Sequence, residues 1–229
     1  VESDLIPRWK RALDIFCILV AAPLLLPLML LIALSIKCVS RGPVFFKQER
    51  VGLLGRTFLC WKFRTMRAGA STACHQNHLS DLIKSEKPMT KMDLFGDPRL
   101  IPFGALLRAS GLDELPQLIN VLKGDMSLVG PRPCVPYEFE QYQPWQRQRF
   151  DTVPGLTGLW QVSGKNKTTF NEMIRLDIIY SKNKSLWLDL TIMARTVSAL
   201  AGQIQETLGT KHSKRSEEHT SELQSLTNL

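Results

Sequence analysis

From Ile15 to Ile36 the chain carries no charged side chain and is dominated by leucine, isoleucine, valine and alanine. As a helix rising 1.5 Å per residue, about 22 such residues extend roughly 33 Å, enough to cross the hydrocarbon core of a bilayer. The pattern predicts a membrane segment. The run is long for the apolar stretch of a secretory signal peptide, and no small-residue cleavage site follows it. Arg8, Lys10 and Arg11 precede it, while Lys37 and Arg41 follow it. Because basic flanks favour the cytoplasmic side, both ends read as cytoplasmic. Pro23 and Pro27 lie mid-segment, where a missing N–H and a ring clash bend a helix. A re-entrant hairpin that returns on the face it entered fits these features, and a tilted span with a proline kink is the alternative. Asp14 is expected to pair with Lys10 or Arg11, one turn away.

After the turn signal Gly42-Pro43, Val44 to Phe46 begins a strand, Gly52 and Gly55 mark a hairpin, and Thr57 to Phe63 returns. Residues 68–99 are polar with weak periodicity and read as a loop-rich insertion. A helix is predicted from Leu112, with an apolar stripe of Leu115, Leu118, Ile119 and Leu122, ending near Lys123-Gly124. Phe139, Tyr142, Trp145 and Phe150, set among Arg147 and Arg149, suggest either an interfacial element or core packing. The same choice applies to the mostly apolar helix expected over Leu186 to Leu200. The sum is a helix-rich α+β fold: a re-entrant membrane helix over 8–41, a small cytoplasmic catalytic domain over 42–202 with interfacial amphipathic helices, and a disordered or foreign tail over 203–229.

Composition narrows the partner. The 229 residues carry a net charge of +8 and a pI near 9.4, which favours an anionic ligand such as a phosphorylated substrate, phospholipid head groups or nucleic acid. The basic residues adjoin a membrane segment and no nucleic-acid recognition module is visible, so nucleic acid is the poorest of these. Five scattered cysteines fit neither a disulfide framework nor a metal site and read as reduced thiols. His75 and His78, with Asp81 nearby, lack the further ligands that zinc demands.

The candidate chemistry lies in three places. Lys62 and Arg64 alternate with large apolar residues, so a strand would present both cations on one face, an arrangement suited to a diphosphate. Asp113-Glu114 falls in the first turn of the helix predicted from Leu112. Ser110 could cap that helix with Asp113 answering it, and for the acidic pair taken alone ordinary capping is the better explanation. In Gly130-Pro131-Arg132-Pro133 two prolines stiffen the backbone around an arginine that could grip phosphate bidentately, or could simply be solvated in a surface turn.

The succession Lys10 to Asp14, Gly42 to Gly52, Lys62 to Met66, Leu112 to Gln117, Gly124 to Pro133 and Pro154 to Gly164 closely resembles the bacterial sugar transferase family, the monotopic phosphoglycosyl transferases that act on polyprenyl phosphate. The likeness runs in order from Arg8 to Gly202. It implies transfer of a sugar phosphate from a nucleotide diphosphate sugar, with UDP expected, to undecaprenyl phosphate, releasing nucleoside monophosphate, at the cytoplasmic face of the bacterial inner membrane. It casts Asp113 as nucleophile and Glu114 as metal ligand or proton acceptor. Mg2+ is implied between these carboxylates and the diphosphate, with Lys62, Arg64 and Arg132 around the phosphates and Asp177 near the nucleotide sugar. Such an enzyme would open glycan assembly for downstream glycosyltransferases. The chain departs from the family where Leu26-Pro27 replaces Ser-Pro at the bend, and where Val153 and Lys165 replace arginines. No dinucleotide-binding glycine fingerprint appears, so a doubly wound glycosyltransferase is not expected. A membrane-anchored hydrolase of nucleotide sugars and a non-catalytic polybasic adaptor are the rival readings.

Overall fold

The structure is a computed structural model that describes residues 6–67, 80–83, 85, 87–89, 97, 99–164 and 167–199. Most of the insertion expected at 68–99, the pair His75 and His78, Lys165 and the tail lie outside these residues.

The apolar run folds as helix α1, Arg8–Val39, with Pro23 and Pro27 inside it. Among the described residues it is the one helix long and apolar enough to cross a membrane. None of residues 19–31 is buried, and Leu19, Val20, Leu24, Leu26, Leu30 and Leu31 are all well exposed. Both ends, by contrast, pack against the rest of the chain. Ile18 shares an apolar cluster with Cys60, Val121 and Met126, while Ile32 and Ile36 share one with Phe63, Ile101 and Leu107.

The first turn of α1 is anchored by polar groups in a way local spacing does not suggest. Lys10 is fully buried and its Nζ donates to Asp189 Oδ2 at 2.5 Å and to Tyr180 Oη at 2.9 Å. Among the described residues Asp14 makes no salt bridge with Lys10 or Arg11, although the Lys10 charge acts on it. Its Oδ1 accepts from Ser127 Oγ and from the Leu128 amide, both at 3.0 Å, and Arg11 reaches instead to the carbonyls of Val121 and Leu122. The expectation of a local pair fails because a buried carboxylate gains more from fixed amide and hydroxyl donors than from a cation that already has a partner.

Strands β1, Phe45–Val51, and β2, Thr57–Phe63, form the expected antiparallel hairpin, with Phe45 opposite Phe63 and Val51 opposite Thr57. In this register Gln48, Arg50, Cys60 and Lys62 share one face. Helix α2, Gly104–Ser110, then leads through Gly111, at φ 73°, into a 3-10 segment, Leu112–Gln117, and only afterwards into helix α3, Leu118–Lys123. The helix predicted from Leu112 is therefore split, because Pro116 has no N–H to donate to the Leu112 carbonyl. Ser110 is not its cap, since its Oγ bonds back to the carbonyls of Leu106 and Leu107. The buried apolar position on α3 is Val121, and Leu122 is half exposed.

Two short parallel strands, β3 (Ser127–Val129) and β4 (Gly155–Thr157), bring two glycine-containing loops together. Gly130 N–H donates to Thr157 O at 2.8 Å and Gly155 N–H to Pro131 O at 2.9 Å. No side chain fits between them, as a Cβ on Gly155 would lie 2.0 Å from the Gly130 nitrogen. Helix α4, Phe170–Asn183, begins with a Thr169–Glu172 capping box. It packs its Phe170, Met173 and Ile174 on Tyr142, Phe150 and Trp160, which places Tyr142 and Phe150 in the core and corrects the interfacial alternative for them. The last described helix, α5, covers residues 186–199.

Gly155→Ala is expected to cost about 3 kcal/mol or more, or to abolish folding, because backbone cannot retreat as a flexible side chain can. Gly124→Ala, with open space around it but φ at 92°, is expected to cost only about 1 kcal/mol. Denaturant unfolding of the two variants side by side measures the difference.

Candidate active site

Lys62 near the end of β2 and Glu114 in the 3-10 segment meet at 2.6 Å between Nζ and Oε1. Asn120 fixes that meeting. Its Oδ1 accepts the Trp61 amide at 3.1 Å and its Nδ2 donates to Leu59 O at 2.7 Å, so the start of α3 is stitched to the strand that carries Lys62. Asn120 is fully buried, and these bonds satisfy it. Asp113 precedes Glu114 and is 8% exposed, whereas the Glu114 side chain is 40% exposed. One carboxylate of the pair is therefore recessed and the other open.

Arg132 joins this neighbourhood. Burial pushes the Cys60 thiol up, and the charges acting on it are those of Lys62, Arg50, Glu114 and Arg132. Lys62 and Arg50 share the face of the hairpin that carries Cys60, and Glu114 and Arg132 act on it through charge. Arg50 was not singled out in the sequence, where it was one of several basic residues near the membrane. The hairpin register places it on the same face as Lys62, and it is 7% exposed. Its Nη1 donates to Pro133 O at 3.0 Å and its Nη2 to Gln48 Oε1 at 2.7 Å.

Arg64 and Asp177 stand elsewhere. Arg64 lies beyond the end of β2 and its guanidinium donates to Arg41 O at 2.6 Å and Ser40 O at 2.9 Å, closing the C-terminal end of α1. Gly42, at φ 116°, makes room, since a Cβ there would come within 2.7 Å of Arg64 Nη1. Strict alternation predicted a shared diphosphate face for Lys62 and Arg64, but the two cations have different partners because the strand ends between them. Asp177 is 1% exposed on α4, its Oδ2 accepting from Arg149 Nη2. Arg149, itself fully buried, also donates to Tyr142 Oη and to Arg132 O, the latter at 2.8 Å. Tyr142 Oη donates to Glu138 Oε1 at 2.6 Å, and Arg132 Nη1 reaches Glu138 Oε2 at 3.4 Å. No local pattern marks Arg149 or Glu138, because their partners are supplied from three different segments.

Burial opposes the charge on Asp177 and pushes its carboxyl up to about 6, with Arg149 pulling the other way, while Arg132 and Arg149 hold the Glu138 carboxyl below its usual range. Among the described residues no group of three or more histidine, cysteine, aspartate or glutamate side chains could by itself hold a metal ion. Asp113 and Glu114 offer hard oxygen donors, and Mg2+ characteristically takes one or two carboxylates with the remainder from substrate phosphates and water. The donor set therefore fits such an ion only together with a phosphorylated ligand.

A carboxyl whose folded pKa is raised contributes stability that is complete below its unfolded pKa near 3.8 and is lost as pH rises through about 6. Asp177→Asn, which cannot titrate, is expected to lose this pH dependence, so that the stability difference between variant and wild type shifts in the variant's favour by up to about 3 kcal/mol as pH rises through that window, on top of a pH-independent cost of leaving Arg149 without its counter-charge. Urea midpoints of both proteins between pH 4 and 7 measure the difference.

The family described as bacterial sugar transferase matches residues 6–203. The chain is 39% identical over 191 residues to the exopolysaccharide production protein ExoY of Sinorhizobium fredii, an alignment covering 83% of this chain and 84% of that protein. It is 41% identical over 199 residues to the UDP-glucose:undecaprenyl-phosphate glucose-1-phosphate transferase of Caulobacter vibrioides, covering 83% and 69%. With the undecaprenyl-phosphate galactose phosphotransferase of Salmonella typhimurium the identity is 38% over 191 residues, 83% of this chain but 40% of the longer relative. The matched region contains the membrane-length helix, the Asp113-Glu114 pair and the loops that meet at Gly130 and Gly155, and the chain belongs to the bacterial sugar transferase family.

Proposed function

We propose that this protein transfers a sugar phosphate from a UDP-sugar to undecaprenyl phosphate through a covalent aspartyl intermediate, the step that opens assembly of an exopolysaccharide or related glycan. The observation that carries the reading is the ion pair of Lys62 with Glu114 at 2.6 Å beside the recessed carboxylate of Asp113, with Arg132 among the charges that act on Cys60 of the same strand. The named activities of the relatives support the substrate class.

The Asp113 carboxylate attacks the sugar-bearing phosphorus, and the bond from that phosphorus to the bridging oxygen breaks, so UMP leaves with the electron pair. An undecaprenyl phosphate oxygen then attacks the aspartyl phosphosugar, forming the lipid diphosphate sugar and returning the Asp113 carboxylate. Lys62 and Arg132 neutralise the phosphate oxygens during both displacements. Glu114, with Asp113, would hold Mg2+, which when bound offsets the repulsion between carboxylates and diphosphate. Lys62, ion-paired with Glu114 at 2.6 Å, keeps that carboxylate oriented.

The membrane geometry serves the lipid acceptor. Pro23 and Pro27 lie inside α1, and a bend there, by which the helix dips into the cytoplasmic leaflet of the inner membrane and returns on the face it entered, belongs to this reading. On α5 the exposed Trp187, Leu190, Ala194 and Val197 recur at helical spacing, a stripe suited to the lipid interface.

Purified protein in lipid nanodiscs, given UDP-glucose labelled at the β-phosphorus and Mg2+, is expected to retain label on the protein when acceptor is omitted. With undecaprenyl phosphate it is expected to turn over with release of UMP. Asp113→Asn should lose both by at least about a thousandfold. Wild-type turnover in that variant rules out the covalent route, and sustained UMP release without acceptor favours a hydrolase.

A further inference from the structure

Beneath the Gly130-Pro131-Arg132-Pro133 turn lies a set of charged groups that the transfer chemistry does not use. Arg149 is fully buried, Arg50 is 7% exposed, and each donates to one of two successive backbone carbonyls of the turn: Arg149 Nη2 to Arg132 O at 2.8 Å, and Arg50 Nη1 to Pro133 O at 3.0 Å. The β1 end is joined to the same stretch, as Val51 N–H donates to Cys134 O at 2.8 Å. Pro131 and Pro133 have no amide hydrogen, so the turn cannot hold itself by an internal ladder and depends on donors from outside.

We propose that Arg149 and Arg50 are positioning residues that clamp the Arg132 turn from below and so fix the Arg132 guanidinium toward an anionic diphosphate. Asp177 acts in the same device as the counter-charge of Arg149, and does not itself contact the nucleotide sugar. The identity of the anion rests on the transferase reading; the clamp does not.

The charge arrangement suits this role. Among the described residues Glu138 and Asp177 make the ion pairs with Arg132 and Arg149, while Glu138 and Glu114 act on Arg50 through charge. Glu138 is fully buried and engaged by Tyr142 at 2.6 Å and by Arg132 at 3.4 Å. Arg149 is bound to Asp177, Tyr142 and the Arg132 carbonyl. Arg132 is the member of the trio with appreciable exposure, 24% of its side chain, and its guanidinium is therefore the one open to a ligand. A guanidinium is required at position 149 because one planar group must serve a hydroxyl, a carboxylate and a carbonyl together, which an ammonium on a flexible stem does less well.

Two measurements on Arg149→Lys test the clamp. Amide hydrogen exchange over residues 130–135 should accelerate at least about tenfold, while exchange in β1 and β2 away from the turn is unchanged. The KM for UDP-glucose, with undecaprenyl phosphate in nanodiscs, should rise about tenfold, the scale of a lost charge-assisted hydrogen bond. Arg132→Ala should raise KM at least as much, and the double variant should match Arg132→Ala within about twofold, because a residue acting through Arg132 has nothing left to position. Asp177→Asn should show the same non-additivity. Should Arg149→Lys not fold, Arg50→Lys enters the same cycle through the adjoining carbonyl. Multiplicative KM effects, or an unchanged exchange rate over 130–135, overturn the proposal. A wild type that never releases UMP, with a turn that loosens in the variant, bears out the clamp and overturns the transferase reading instead.

Discussion

A guanidinium withdrawn from water must find partners inside the protein, and fully buried Arg149 is the group on which that requirement falls most heavily. Its three acceptors come from the turn at Arg132, from Tyr142 and from Asp177 on α4. Bringing them together fixes where α4 lies, which aromatic residues fill the core beside it, and how the Arg132 turn is presented. Breaking such a buried set costs far more than any surface ion pair, because each removed partner leaves a desolvated charge behind. The geometry of the candidate site therefore rests on a polar network in the interior as much as on hydrophobic packing.

A second polar network does the equivalent work where the membrane helix meets the domain. Lys10, Asp189 and Tyr180 close on one another, and Asp14 takes the Ser127 hydroxyl and the Leu128 amide. At the far end Arg64 closes the last turn of α1 through the carbonyls of Ser40 and Arg41. Lys62 stands two residues before Arg64, so the exit of α1 and the cation paired with Glu114 are tied to one short stretch at the end of β2. The exposed apolar middle of α1 is left to lipid, while its polar ends are committed to the protein.

The candidate site was partly legible in the sequence. Asp113-Glu114, Lys62 and Arg132 stood out because each carries its context locally: an acidic pair near a predicted helix start, a cation in an alternating strand, an arginine between prolines. The hairpin and the membrane-length segment were legible for the same reason, since periods of 2 and long apolar runs are local signals. Arg64 and Asp14 sit where short-range rules offered partners, and the structure engages them with groups 23 or more residues away; Asp177, for which the resemblance implied a place near the nucleotide sugar, is bound to Arg149. Asn120, Arg50, Glu138 and Arg149 were missed because their types and positions are unremarkable until β2, α3 and the Arg132 turn are brought together.

The sequence by itself determined the family, the membrane segment, the acidic pair and the glycines of the two facing loops, since these depend on residue identity and spacing along the chain. Only the tertiary structure decided which cations face Glu114, which close a helix end and which clamp a turn. Arginine and aspartate carry the same charge wherever they stand; their partners are set by burial, where an unpaired charge is too costly to survive, and burial is a property of the folded chain.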